Sequence, residues 1–198
     1  MRSVIIRRSV FTLALAVSFC ALAAAAPAIP GDFLIVPGQR IGQTPLGSQG
    51  SRTLSRLPRP YRHDVGMSQT YSVWVSHTLL QGRRNTLFIH TTSNGALNVK
   101  PLDGVTIDVI RVTSPRFQTT HGLHVGSTLA QIRRRFPRAR AITGETTIYD
   151  DMGGGIAFEF PHPPVSQSHS IAVMIHPSGE SHTANARQVR DLVQSPLP

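Results

Sequence analysis

Apolar residues in this chain fall mostly in short alternating runs, separated by glycine, proline and asparagine. Thr70-Tyr-Ser-Val-Trp-Val75 puts Tyr71, Val73 and Val75 on one side and Trp74 on the other, as the two-residue period of a strand requires. Thr86 to Thr91 is a second run, and Gln81 to Asn85 between them reads as a hairpin connection. Asn94-Gly95 predicts a tight turn, because both residues tolerate positive φ. Val105 to Val112, rich in β-branched residues, predicts a third strand. Thr146 to Tyr149, Ile156 to Phe160 and Ser170 to Ile175 predict three more, with a turn at Gly153-Gly-Gly155. In Ile156-Ala-Phe-Glu-Phe160 the alternation predicts one buried and one wet face. Phe33 to Val36 predicts an edge strand, ended by Pro37-Gly38.

The period changes at Leu129, Ile132 and Phe136, which recur at +3 and +4 and predict a helix over 129–136. Ser127 or Thr128 caps it and Pro137 stops it. Thr53 to Leu57 predicts a shorter helix stopped by Pro58, and Thr183 to Gln194 a terminal one with Val189, Leu192 and Val193 as its apolar side. Gly126 to Pro137 has a degraded echo at Gly47 to Pro58, with the same glycine-to-proline spacing, and three strand-like runs follow each copy. The expected class is therefore α+β: two tandem related units, each a short helix plus a three- or four-stranded antiparallel sheet. The first unit spans 33–112 and the second 115–182, followed by a C-terminal helix and tail over 183–198.

The first 26 residues stand apart. Arg2, Arg7 and Arg8 precede an apolar run from Val10 to Leu22, and small residues follow at Ala23 to Ala26. That is the pattern of a secretory signal peptide cut near Ala25, and it implies export to the periplasm or the exterior. The twin arginine leaves the route, general or twin-arginine, open. Cys20 is the one cysteine, and Phe19 before it is too bulky for a lipoprotein cleavage site. With Cys20 removed, the exported chain has no disulfide and relies on core packing. No later apolar run is long enough for a transmembrane helix.

Twenty Lys+Arg against ten Asp+Glu give the whole chain a formal net charge of +10, and Lys100 is the only lysine. Such a surface favours an acidic protein or an anionic envelope component as partner; export argues against nucleic acid. The densest cluster is Arg133, Arg134, Arg135, Arg138 and Arg140, a helix face running into a loop. Guanidinium groups so placed grip carboxylates or phosphates, and these five are the candidate partner-binding residues.

Gly126-Ser-Thr128 at the helix start, Ile132 in mid-helix, Phe136-Pro137 at the exit and Ile156-Ala-Phe-Glu-Phe160 in the hairpin resemble the SmpA/OmlA and beta-lactamase-inhibitory-protein-like (BLIP-like) family of small secreted domains, over residues 120–176. Ser127 replaces the family's methionine, and the exit lacks its glycine. The resemblance implies a helix-plus-antiparallel-sheet fold, often in tandem, that acts by protein–protein contact.

Catalytic chemistry finds no foothold. His121 and His124 have a metal-like spacing but no third ligand nearby, and His162, His169 and His176 read as surface or loop positions. Asp150-Asp151 would point to opposite faces of a strand, and Gly153 to Gly155 opens no helix that could receive a phosphate. The expectation is a non-enzymatic binding module with no catalytic residue, metal or cofactor. A basic protein that binds anionic polymer or lipid is the alternative, and a hydrolase using histidines with Asp150 and Asp151 a more distant one.

Overall fold

The computed structural model describes residues 31–66, 69–80, 82–93 and 104–179. The expected signal peptide, the Asn94-Gly95 turn and the terminal helix over 183–194 lie outside the described residues. In chain order the strands are β1 (Leu34–Val36), β2 (Arg40–Ile41), β3 (Thr44–Pro45), β4 (Arg62–Gly66), β5 (Gln69–Leu80), β6 (Arg83–Ser93), β7 (Val105–Val112), β8 (Gln118–Thr119), β9 (Arg140–Thr143), β10 (Thr146–Asp151), β11 (Ile156–Pro161) and β12 (Ala172–Ile175). Two short helices, α1 (Gly50–Leu54) and α2 (Leu129–Arg135), interrupt them.

This is a mostly β molecule, and it overturns the expected α+β tandem of helix-plus-sheet units. One sheet has eight strands in the order β4-β5-β6-β7-β12-β11-β10-β9, and a second has four in the order β3-β2-β1-β8. The meanders β4–β7 and β9–β12 do not close as separate units. They join along β7 and β12, where Ile110 pairs with Ile175 and Val112 with Val173. Pairing those two strands leaves no open edge between the halves and buries four large apolar side chains at the seam. The helices add little to the architecture. α1 is a single turn with no side-chain cap, and it begins earlier than the predicted 53–57. α2 does form where the apolar stripe predicts it, with Thr128 and Gln131 making a reciprocal capping box.

The four-stranded sheet, both helices and the loop at Leu123 lie on one face of the large sheet. Ile35 and Ile41 from the small sheet meet Ile89, Ile110, Phe158 and Phe160 in one continuous core, which Leu129 and Ile132 of α2 also enter. β1, expected at an edge, lies inside its sheet, antiparallel to β2 and parallel to β8. Gly38 and Gly155 let this layer approach the large sheet. The Gly38 amide donates to the Gly155 carbonyl at 3.0 Å, and a Cβ on Gly155 would sit 2.4 Å from the His176 carbonyl oxygen and 2.7 Å from the Gly38 Cα. Gly155 also has a φ of +67°, so both space and backbone conformation demand glycine there.

The other face of the large sheet is buried too, which corrects the wet face expected for β11. Every residue from Ile156 to Phe160 is buried, Glu159 included. That face carries two small apolar clusters, Val73 with Phe88 and Ile148 with Ala157 and Met174. Between them lie three buried polar pairs. His90 Nδ1 is 2.6 Å from an Asp108 oxygen, and His176 Nε2 is 2.9 Å from an Asp150 oxygen. Arg111 donates to Glu159 Oε2 from both Nε, at 3.0 Å, and Nη2, at 2.7 Å. Pairing is what makes such burial tolerable, because an isolated ion in the interior loses its hydration without recompense.

Candidate functional site

A trough of about 750 Å³ lies beside the β5–β6 hairpin. Phe33, Leu57, Trp74, Leu87 and Phe117 supply its apolar lining. Sequence alone brings none of these together: they come from the turn before β1, the loop after α1, two strands and the loop before β8. Trp74 lies on the face of β5 opposite Val73, as the alternation predicts; that face packs against the main core, and Trp74 remains half-buried. Its indole Nε1 donates to the Pro58 carbonyl at 2.6 Å, which fixes the ring against the 57–61 loop. Phe33 and Phe117 pack at 5.7 Å between centroids, tilted by 59°.

The rim is basic. Arg59, Arg84, Arg116 and His77 line the trough, and no aspartate or glutamate does so among the described residues. The Arg116 guanidinium lies 5.9 Å from the centre of the Phe33 ring, close enough for a cation–π contact. The pairing of β5 with β6 shifts register between Val75 and Leu79. Within that irregular stretch the Ser76 hydroxyl accepts from the Asn85 amide and donates to the Thr78 carbonyl. A bulge re-aims side chains, and here it sends Leu79 out to 63% exposure at the trough's edge. Tyr61 stands 52% exposed across from it.

The five arginines expected to form one face make different contacts. Arg133 donates to the Tyr149 hydroxyl at 2.8 Å and lies 5.0 Å over that ring. Arg135 is hydrogen-bonded to His121, and Arg134 is exposed on α2. Arg138 and Arg140 line a separate pocket of about 490 Å³ together with Asp150 and Asp151, so carboxylates face their charge.

His176, expected at the surface, is buried against Asp150. No group of three metal-ligating side chains occurs among the described residues. Nor is any helix among them long and apolar enough to cross a membrane.

A polar nest sits on the second face, around His90. The Tyr71 hydroxyl donates to Gln69 Oε1 at 2.7 Å, and the Tyr71 ring packs 4.6 Å from the His90 ring. Burial, and secondarily the Asp108 carboxylate, push the Tyr71 phenol above its ordinary value of 10.0. The folded state thus holds this proton longer than the unfolded chain. Stability is unaffected below pH 10.0 and falls as pH rises from there through the folded value. In an ultraviolet titration of the folded protein, the tyrosinate absorbance lost on Tyr71→Phe should have its midpoint above pH 10.0. A midpoint at or below that value contradicts the burial argument.

No protein-family model matches the chain, and no curated protein does. Among solved structures it is similar to the crystal structure of the uncharacterized protein yfeY from Escherichia coli, at 13% identity and a TM-score of 0.36, over 71% of this chain and 95% of that one. Nothing is carried over from that protein to the site.

Proposed function

We propose that the chain is an exported, non-enzymatic binding module that holds an acidic, apolar segment of a partner protein in the trough beside β5–β6. The observation that carries this reading is the trough's make-up, an aromatic floor under an arginine rim without a carboxylate. A fixed tryptophan with flanking tyrosine and arginine is the composition of binding hot spots. Tyr61 and Leu79, which line the trough, are largely exposed, so its apolar surface is open rather than enclosed, which favours a protein contact over a small amphiphile. The resemblance of residues 120–176 to domains that act by protein–protein contact points the same way. The signal-peptide pattern puts the encounter in the cell envelope.

The test compares envelope proteins retained by the wild-type chain, by Trp74→Ala/Arg116→Glu, and by the triple alanine variant of Arg133, Arg134 and Arg135. Truncating a hot-spot tryptophan costs about 2 kcal/mol or more, roughly thirtyfold in affinity. The trough variant should lose its partners and the triple variant keep them. The reverse result moves the site to α2 and overturns the trough. Trp74 is the only tryptophan, so its fluorescence reports occupancy directly. A response to anionic lipid vesicles that disappears in high salt, with no protein retained, decides for the lipid reading instead.

A further inference from the structure

The trough lies where β5 loses its neighbour. β4 pairs with β5 only from Gln69 to Val73, yet β5 continues to Leu80. Every residue from Trp74 to Leu80 lines the trough. The bonds on either side show which way the backbone of this stretch turns. The Tyr61 amide donates to the Val73 carbonyl at 2.8 Å, so Val73 turns its backbone toward the β4 side. In a strand every second residue faces alike, so Val75 turns there too. Thr86, paired with Val75, agrees. Its amide donates to Thr113 Oγ1 at 2.8 Å and its carbonyl accepts from the Thr113 amide at 3.1 Å, both away from β5. Arg84, two residues before Thr86, turns the same way, and Arg84 is paired with Leu79. Opposite residues of an antiparallel pair either exchange bonds or both turn outward. Val75 and Leu79 thus present N–H and C=O on the outer side of β5, and among the described residues no backbone group there meets them.

We propose that the acidic, apolar segment held in the trough is extended, and that it adds as a short strand to the outer edge of β5 between Val75 and Leu79. This deepens the trough reading and rests on it. An unpaired strand edge is a template for another chain, and its main-chain bonds supply affinity whatever the side chains. From Val75 to Leu80 this edge carries no Lys, Arg, Asp, Glu or Pro, the residues that blunt such edges. The bulge between Val75 and Leu79 interrupts the pairing with β6 but leaves both residues turned to the open side. An added strand sends alternate side chains in opposite directions. One set meets the aromatic floor, and the other brings carboxylates to Arg59, Arg84 and Arg116 at the rim.

The full chain is titrated with a capped octapeptide of alternating valine and glutamate, followed by Trp74 fluorescence and by amide NMR. At saturation the Val75 and Leu79 amides should exchange with solvent about tenfold more slowly or better. The same peptide N-methylated at every residue keeps its side chains but has no donors, and should bind about tenfold or more weakly. A peptide with lysine in place of glutamate should not bind. Leu79→Pro removes an outward N–H without touching the pairing with β6, and should weaken binding by about tenfold relative to Leu79→Ala. Unchanged exchange at Val75 and Leu79, equal affinity for the methylated peptide, or no binding of the parent peptide overturns the strand addition. The retention experiment with Trp74→Ala/Arg116→Glu judges the trough itself, so the two readings fail separately. Should Leu79→Pro fail to fold, exchange in the wild-type chain still decides.

Discussion

Arg111→Met alone is expected to destabilise the protein by about 3–5 kcal/mol, because it leaves the Glu159 carboxylate buried without its cation. The two side chains are 6% and 4% exposed, so water cannot reach in to replace the lost bonds. Glu159 Oε2 would lose both charge-assisted donors at once. The pair spans β12, reaching from β7 to β11, and thus ties together the two meanders of the large sheet. Arg111→Met/Glu159→Met should recover most of the loss, since a well-packed apolar pair is often as stable as a buried ion pair. Urea denaturation checks both, with the midpoint moving and the slope unchanged. A single variant that costs less than about 1 kcal/mol would mean that the pair behaves as a solvated surface bridge.

Phe158→Ala should cost about 3–5 kcal/mol, the usual range for emptying a buried aromatic site. Phe158 is 1% exposed on the core face of β11, and its ring lies 5.8 Å from that of Phe136 at the exit of α2. It belongs to the same cluster as Ile35 of the small sheet and Ile110 of β7. The loss should therefore lower one cooperative transition as a whole. Fluorescence of Trp74, in the other meander, and far-ultraviolet circular dichroism should shift together. Two separated transitions, with Trp74 unmoved, would show that the halves unfold independently despite the β7–β12 seam.

What the residue order reveals is local. β7 runs from Val105 to Val112 as its β-branched pattern predicts, and the Leu129, Ile132 and Phe136 stripe marks α2. Tyr71, Val73 and Val75 share a face, and Trp74 takes the other. Each copy of the glycine-to-proline echo contains a short helix, yet α1 ends at Leu54, four residues before Pro58, and the copies do not form a tandem of helix-plus-sheet units. The missed strands are short, the longest being β4 with five residues, where the sequence over 59–64 reads as loop. β2 and β3 have two residues each, and β9, Arg140-Ala-Ile-Thr143, shows mostly polar and exposed positions. Two or four such residues carry no periodicity to read, and they are strands only because a neighbour offers its backbone donors and acceptors.

The site was less legible still. The arginine run from Arg133 to Arg140 is conspicuous in the sequence, yet Tyr149, His121 and the Asp150–Asp151 pair divide it among separate surroundings. The trough draws Phe33, Trp74 and Phe117 from three distant segments, and only Trp74 stood out beforehand. Glu159 looked like the wet position of an amphipathic strand.

Local steric and hydrophobic preference thus determined where strands and the second helix form, because those depend on neighbours a few residues away. Tertiary structure alone decided that two meanders make one sheet, that its second face is buried, and that Arg111 meets Glu159. Those outcomes depend on which strand edges pair and which charges lose their water together, and both are set by residues far apart in the chain.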